Sequence, residues 1–162
     1  MAGNIIVATD GSATGNRAVD FAAALSNKFD QDLSVVHVLM HGRPSKEFVK
    51  LAEIEGLVLP TPSQEATKRS ALAARFPSAA DELATAKTVT ALGEHVAEHA
   101  KQRSKDAGAR NVTTRICVGD IADEILDVAE AEKAELIVLG RRGLGPAREV
   151  LLGSVSQKVL HQ

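Results

Sequence analysis

One cysteine, no tryptophan and no tyrosine stand among 162 residues, and each scarcity removes a class of function. Cys117, alone, closes no intramolecular disulfide, which sets aside the small cross-linked scaffold and fits a reducing cytoplasm. An aromatic share of 2% leaves no stacking platform for single-stranded nucleic acid. Neither sign of charge dominates: a net charge of -2 gives no electrostatic footprint for nucleic acid or an anionic membrane. No apolar run approaches the roughly 20 residues of a membrane helix. The start, Met1-Ala2-Gly3-Asn4, has no basic segment followed by a long apolar one, so no signal peptide is expected. Two phosphate motifs are missing as well. There is no G-x-x-x-x-G-K-[ST], which excludes a Walker-type ATPase. The turn after the first apolar run lacks G-x-G-x-x-G, so the dinucleotide fingerprint fails too.

What is present is an ordinary globular composition, 44% hydrophobic and 25% charged, long enough for one domain over residues 1–162 with a sizeable core. Ile5-Ile6-Val7-Ala8 is short, apolar and β-branched, the pattern of a buried parallel strand. Ala18, Ala22, Leu25 and Phe29 recur at helical spacing, with Phe21 on the same side, so a helix with these residues inward is expected. Leu33 to Leu39 reads as a second strand. Residues 40–78, punctuated by Gly42, Pro44, Pro60, Pro62 and Pro77, read as an irregular insert with one short helix near 45–56. A long helix from Ser78 to about Ala107 carries the stripe Val89, Leu92, Val96 and Ala100, and Gly108 stops it. Val112, Thr114, Ile116 and Val118 alternate with polar neighbours, as in an edge strand. Gly119-Asp120 caps a further helix that buries Ile121, Ile125, Val128 and Ala129. Ala134 to Leu139 is a fourth strand, and Ser154 to Leu160 opens a last helix. Strands alternating with helices predict an α/β fold: an open parallel sheet with helices on both faces.

The densest chemistry lies at Gly140-Arg141-Arg142-Gly143, nine residues, then Gly153-Ser154. Strand, glycine-punctuated loop and helix start together describe an anion site. Glycines let the backbone approach a ligand, and unpaired N–H groups at a helix start favour phosphate. Thr9-Asp10-Gly11-Ser12 ends the first strand. In an open α/β sheet, ligands sit outside the carboxyl ends of the strands. Should the first and fourth strands be neighbours, both clusters line one crevice. Asp10 is then placed to accept from a ribose hydroxyl or a base amine, with a helix cap as its plainer role, and Ser12 reads as a cap.

Gly140-x-x-Gly143, nine residues, Gly153-Ser154 resembles the ATP-binding signature of the universal stress protein family. Val7 to Ser12, His37-Val38, Val118 to Ile125 and Gly153 to Ser156 with Val159-Leu160 resemble that family's other segments, in order along nearly the whole chain. The resemblance implies an adenine-nucleotide α-hydrolase-like sheet ordered 3-2-1-4-5. It implies that Ala8, Thr9 and Asp10 contact the adenosine, the Val38 backbone meets the adenine edge, and Leu139 and Gly140 lie by the ribose. Arg142 and Gly143 would approach the phosphates, which Gly153, Ser154 and Val155 would bind. The cofactor so implied is ATP, with AMP as the alternative and Mg²⁺ as a companion that bridges phosphate oxygens. The family continues into a fifth strand of the Pro-Val-x-Val-Val kind, absent here before Gln162, so the expected order is 3-2-1-4. Its usual dimer uses that strand. An uncovered fourth strand is an edge that invites association, so a homo-oligomer is expected, by another route.

Weaker signals take plainer readings. His95-Val96-Ala97-Glu98-His99 matches a zinc-protease pattern but reads as a helix flank without a third ligand, and no metal site is expected. His37 reads as a packed strand residue, Cys117 as a small hydrophobe, and one of Arg141, Arg142 and Arg148 as facing the phosphates. No base–nucleophile pair accompanies the loop, so no catalytic residue is expected and hydrolysis would be slow at most. Nucleotide occupancy would modulate assembly or an unidentified protein partner in a stress response. Two competing functions are a nucleotide-independent interaction module and an adenylyl-transferring enzyme on the same fold.

Overall fold

The computed structural model describes residues 4–39, 79–141 and 153–161. Among them lie four strands, β1 (Asn4–Ala8), β2 (Asp32–Leu39), β3 (Val112–Val118) and β4 (Ala134–Leu139), and four helices, α1 (Ala13–Phe29), α2 (Ala79–Asp106), α3 (Ile121–Ala131) and α4 (Ser154–Leu160). The chain divides into two compact units, Met1–His41 with Gly93–Gln162, and Gly42–Leu92. All four strands belong to the first. The helix expected near 45–56 lies outside the described residues.

The sheet is parallel throughout and ordered β3-β2-β1-β4. β1 is central, and Ile5, Ile6 and Val7 are fully buried, which explains an apolar run with no polar alternation. Side chains alternate between two helical layers. Ile5, Val7, Leu33, Val35, Val112 and Val138 pack with Ala18, Val19, Ala22 and Ala23 of α1 and Ala100 of α2. Ile6 and Val36 pack on the opposite face with Ile125 of α3, joined by the half-buried Val38, Leu139 and Val155. The expected α/β sheet with helices on both faces is therefore the observed one.

Local signals explain the element ends. Ser12 is the N-cap of α1, its hydroxyl accepting from the Gly15 N–H at 3.0 Å. Gly11, at φ 79°, makes the turn before it in the left-handed region. Gly108, at φ 89°, turns the chain after α2, as expected from its position. Asp120 caps α3 by accepting from the Ala122 and Asp123 N–H groups at 3.0 and 3.2 Å. Arg103 of α2 forms a two-pronged ion pair with Asp20 of α1, the outer contact at 2.7 Å. That pairing holds the Asp20 carboxyl below the usual range.

One expectation about burial is corrected. Phe21 and Phe29 are 61% and 60% exposed rather than inward. The buried stripe of α1 runs instead through Gly15, Ala18, Val19, Ala22, Ala23 and Ser26. Small residues let the helix lie close to the sheet, and at about 100° per residue the two phenylalanines fall on its flank. β3 is the edge strand its alternation predicts, burying Val112 and leaving Ile116 and Val118 exposed.

The two ends of the sheet differ in chemistry. At the strand starts, Glu132 accepts from Asn4 Nδ2 at 2.6 Å, from the Ser34 hydroxyl, and from Arg115 Nε at 2.7 Å. Ser34 is itself bonded to Thr113 at 3.0 Å. This polar network ties β1, β2 and β3 to the turn after α3. The opposite end, at the strand carboxyl termini, holds the candidate site.

Candidate functional site

Parallel pairing of β1 with β4 sets Ala8 beside Leu139, and pairing with β2 sets Ala8 beside Val36. The chain therefore leaves β1 at Thr9-Asp10 next to where it leaves β4 at Gly140. The inferred neighbourhood of the first and fourth strands is the observed one, and their two exit loops share one end of the sheet. Thr9 is buried, and its N–H extends the ladder by donating to Val36 O at 3.0 Å. Asp10 Oδ1 accepts from the Ser12 N–H at 3.0 Å, while Ser12 does the capping. Asp10 thus shapes the turn, and Gly15 gives it room: a Cβ there would lie 2.6 Å from Thr9 Oγ1 and 2.9 Å from Asp10 Oδ1.

The two halves of the glycine pattern are also drawn together. The Gly153 N–H donates to Arg141 O at 2.8 Å, and the Ser156 hydroxyl donates to Gly140 O at 3.0 Å. These bonds fix the first turn of α4 against the exit of β4. Gly153 is the N-cap of α4 and supplies no capping side chain, unlike Ser12 on α1 and Asp120 on α3. Ser154 is exposed at the first helical position. Ala8, Val38, Leu139 and Val155 lie together on the apolar face that packs with α3. Arg142, Gly143 and Arg148 lie outside the described residues. Arg141 is exposed.

Beside Ser154 and Val155 lies a cleft that the sequence does not show. A cleft of about 460 Å³ is lined by Gly119, Asp120, Ile121 and Ala122 at the start of α3 and by Ser154, Val155 and Lys158 of α4. Lys158 Nζ bridges it, 3.0 Å from Asp120 Oδ1 and 2.8 Å from Asp123 Oδ1. The carboxylates raise the Lys158 pKa, and the Lys158 hydrogen bond lowers that of Asp120. Asp120 and Lys158 are 38 residues apart, so no spacing pattern joins them.

The side residues take the plainer roles. Cys117 is half-buried among the apolar residues facing α3, and burial followed by the nearby Glu124 pushes its thiol pKa up, away from a reactive thiolate. Within the His95–His99 pattern, Glu98 and His99 are exposed, and Glu98 pairs with Lys101 at 3.4 Å. Among the described residues no helix is long and apolar enough to cross a membrane.

The model of the universal stress protein family matches residues 1–162. The chain belongs to the universal stress protein family. Universal stress protein Rv1636 of Mycobacterium tuberculosis H37Rv is 32% identical over 155 residues, covering 96% of this chain and 86% of that protein. YxiE, a universal stress protein of Bacillus subtilis 168, is 31% identical over 159 residues, covering 98% and 92%. Among solved structures, universal stress protein UspA from Lactobacillus plantarum superposes with a TM-score of 0.65 at 20% identity over 98% of this chain and 90% of that one. A universal stress protein in complex with cAMP gives 0.57 at 21% identity, covering 99% and 89%. The universal stress protein from Archaeoglobus fulgidus in complex with dAMP gives 0.56 at 18% identity, covering 100% and 91%. At these identities the likeness bears on the fold.

Proposed function

We propose that this universal stress protein is a single-domain adenine-nucleotide binder that takes ATP, with AMP as the alternative, at the carboxyl end of β1 and β4. The observation that carries this is the closure of the glycine pattern, Gly153 N–H to Arg141 O and Ser156 hydroxyl to Gly140 O, beside the Thr9-Asp10 corner. Apolar Ala8, Val38, Leu139 and Val155 suit an adenine and its ribose. The first turn of α4, which no capping side chain occupies, suits phosphate through its backbone N–H groups and the Ser154 hydroxyl. Asp10 would accept from the ribose. Arg142 and Gly143 would approach the phosphates, whose charge a divalent cation such as Mg²⁺ would share by bridging their oxygens. That cAMP and dAMP are held by two proteins of this fold supports a nucleotide of this class. Binding rather than turnover is the proposed activity, with occupancy biasing self-association or a protein partner in a cytoplasmic stress response.

Chemical-shift mapping tests the assignment residue by residue. Adenosine is expected to move the amide signals of Ala8, Thr9, Asp10, Val38 and Leu139. ATP is expected to move, in addition, those of Gly153, Ser154 and Val155. Shifts confined to surfaces away from the β1 and β4 exits would contradict the assignment.

A further inference from the structure

His37 lies on β2 on the face of Leu33 and Val35, and it is 4% exposed. Its Nδ1 is 2.8 Å from the carbonyl oxygen of Thr9. A carbonyl only accepts, so Nδ1 carries the proton and the neutral ring is held in that tautomer. Burial lowers the imidazole pKa, against the smaller upward pulls of the Thr9 bond and the Asp10 charge. The ring is backed by α2, where a Cβ on Gly93 would lie 3.1 Å from Cδ2 and 3.3 Å from Nε2, so it has little room to turn away.

Thr9 is the residue at which the chain leaves the sheet. Its N–H is taken by Val36 O at 3.0 Å, and its carbonyl by His37, so β2 grips Thr9 from both sides. Beyond it, Thr9 Oγ1 accepts from the Gly11 N–H at 3.1 Å and Asp10 Oδ1 from the Ser12 N–H at 3.0 Å. The Thr9–Asp10 peptide is thus the hinge of the whole corner, and His37 provides the side-chain bond that sets its orientation. Loss of that bond removes one restraint on the peptide plane, and Asp10 follows that plane directly.

We propose that His37 is a positioning residue: through the Thr9 carbonyl it fixes the Thr9–Asp10 corner and thereby sets affinity for the nucleotide. The affinity part rests on the nucleotide-binding reading. Loss of a preorganised contact is felt as weakened binding even when the residue lost never touches the ligand.

The test compares His37→Leu, which keeps apolar volume without a donor, with His37→Asn, whose Nδ2 stands where Nδ1 stood. Amide exchange over Asp10 to Gly15 and ATP affinity are read on each full-length variant. His37→Leu is expected to speed exchange at Gly11 and Ser12 about tenfold and to raise the Kd for ATP by a similar factor. His37→Asn is expected to restore both to within about threefold. Should His37→Leu fail to fold, His37→Gln, with its donor one bond further out, replaces it and should behave as unrescued. Unchanged corner exchange in His37→Leu, or equal losses in Leu and Asn variants, would overturn the positioning role. A flat ATP titration of the wild-type protein would overturn the nucleotide reading and the affinity claim together, while amide exchange would still decide whether His37 holds the corner.

Discussion

Gly153→Glu is expected to weaken ATP binding at least about 100-fold while leaving the protein folded. Gly153 sits at φ -70° and ψ 158°, extended backbone open to any residue, so the new side chain brings no strain. What it brings is a carboxylate at the start of α4, where the phosphates are proposed to sit. Two unit charges about 4 Å apart near a protein surface repel by about 4 kcal/mol, and screening trims that to the loss expected here. Gly153 has no capping side chain to lose, and a carboxylate at a helix start is favoured by the helix dipole, so a melting temperature within about 3 °C of wild type is expected. Calorimetry and thermal melting on the same variant separate the outcomes. Retained affinity would remove the phosphates from α4. Lost binding with an intact partner interaction would favour the nucleotide-independent module.

The second large effect concerns stability. Glu132→Ala is expected to cost about 3 kcal/mol, a fall in melting temperature of roughly 6–12 °C. The carboxylate, only 15% exposed, accepts from Asn4, Ser34 and Arg115. Removing it takes the 2.6 Å acceptor from Asn4 Nδ2 and leaves Ser34 only Thr113 as a side-chain acceptor, whereas the half-exposed Arg115 recovers water. The same residue shapes the acid limb. Burial opposes ionisation of Glu132, but the bonds from Ser34, Arg115 and Asn4 outweigh it and hold the pKa below the ordinary 4.5. A lowered folded pKa means the unfolded chain binds the proton more readily. The stabilisation is therefore complete above about pH 4.5 and is lost as pH falls through the folded value. Denaturant titrations from pH 7 to pH 3 should show a flatter acid decline in Glu132→Ala than in wild type. An equal slope would put the acid sensitivity elsewhere.

Much of the fold was legible because the strands obey simple rules. Ile5 to Ala8 and Ala134 to Leu139 are short apolar runs between turn residues, and both became strands within one residue of expectation. Asp120 and Ser12 capped the helices they preceded. Strand order was a different matter. Periodicity says which segments are strands, not which are neighbours, and the order β3-β2-β1-β4 came from the family resemblance. Phe21 and Phe29 mislead because size suggests burial, whereas α1 packs mainly through small residues. Glu132 lies in a charged stretch after α3 that carries no local sign of its role. Its partners Asn4 and Ser34 are 128 and 98 residues distant, and no local pattern reports them. Gly119-Asp120 caps α3 as its sequence predicts, but that it also faces Lys158 across a cleft is invisible locally, because Lys158 lies beyond α3, β4 and a loop. Asp10 and Gly153 stand out in the sequence as candidate ligand residues because they lie in loops beside strand ends, and the structure gives each a structural role, Asp10 in the turn and Gly153 at a helix start.

The most direct measurement is calorimetric titration of nucleotide-stripped protein with ATP, AMP and cyclic AMP, each with and without Mg²⁺. One saturable ATP site with a Kd of about 1 μM, tightened by Mg²⁺ and weaker for AMP, is the expected result. Flat titrations of a protein that circular dichroism shows to be folded would contradict it, leaving the glycine loop a structural element and the family fold an interaction module.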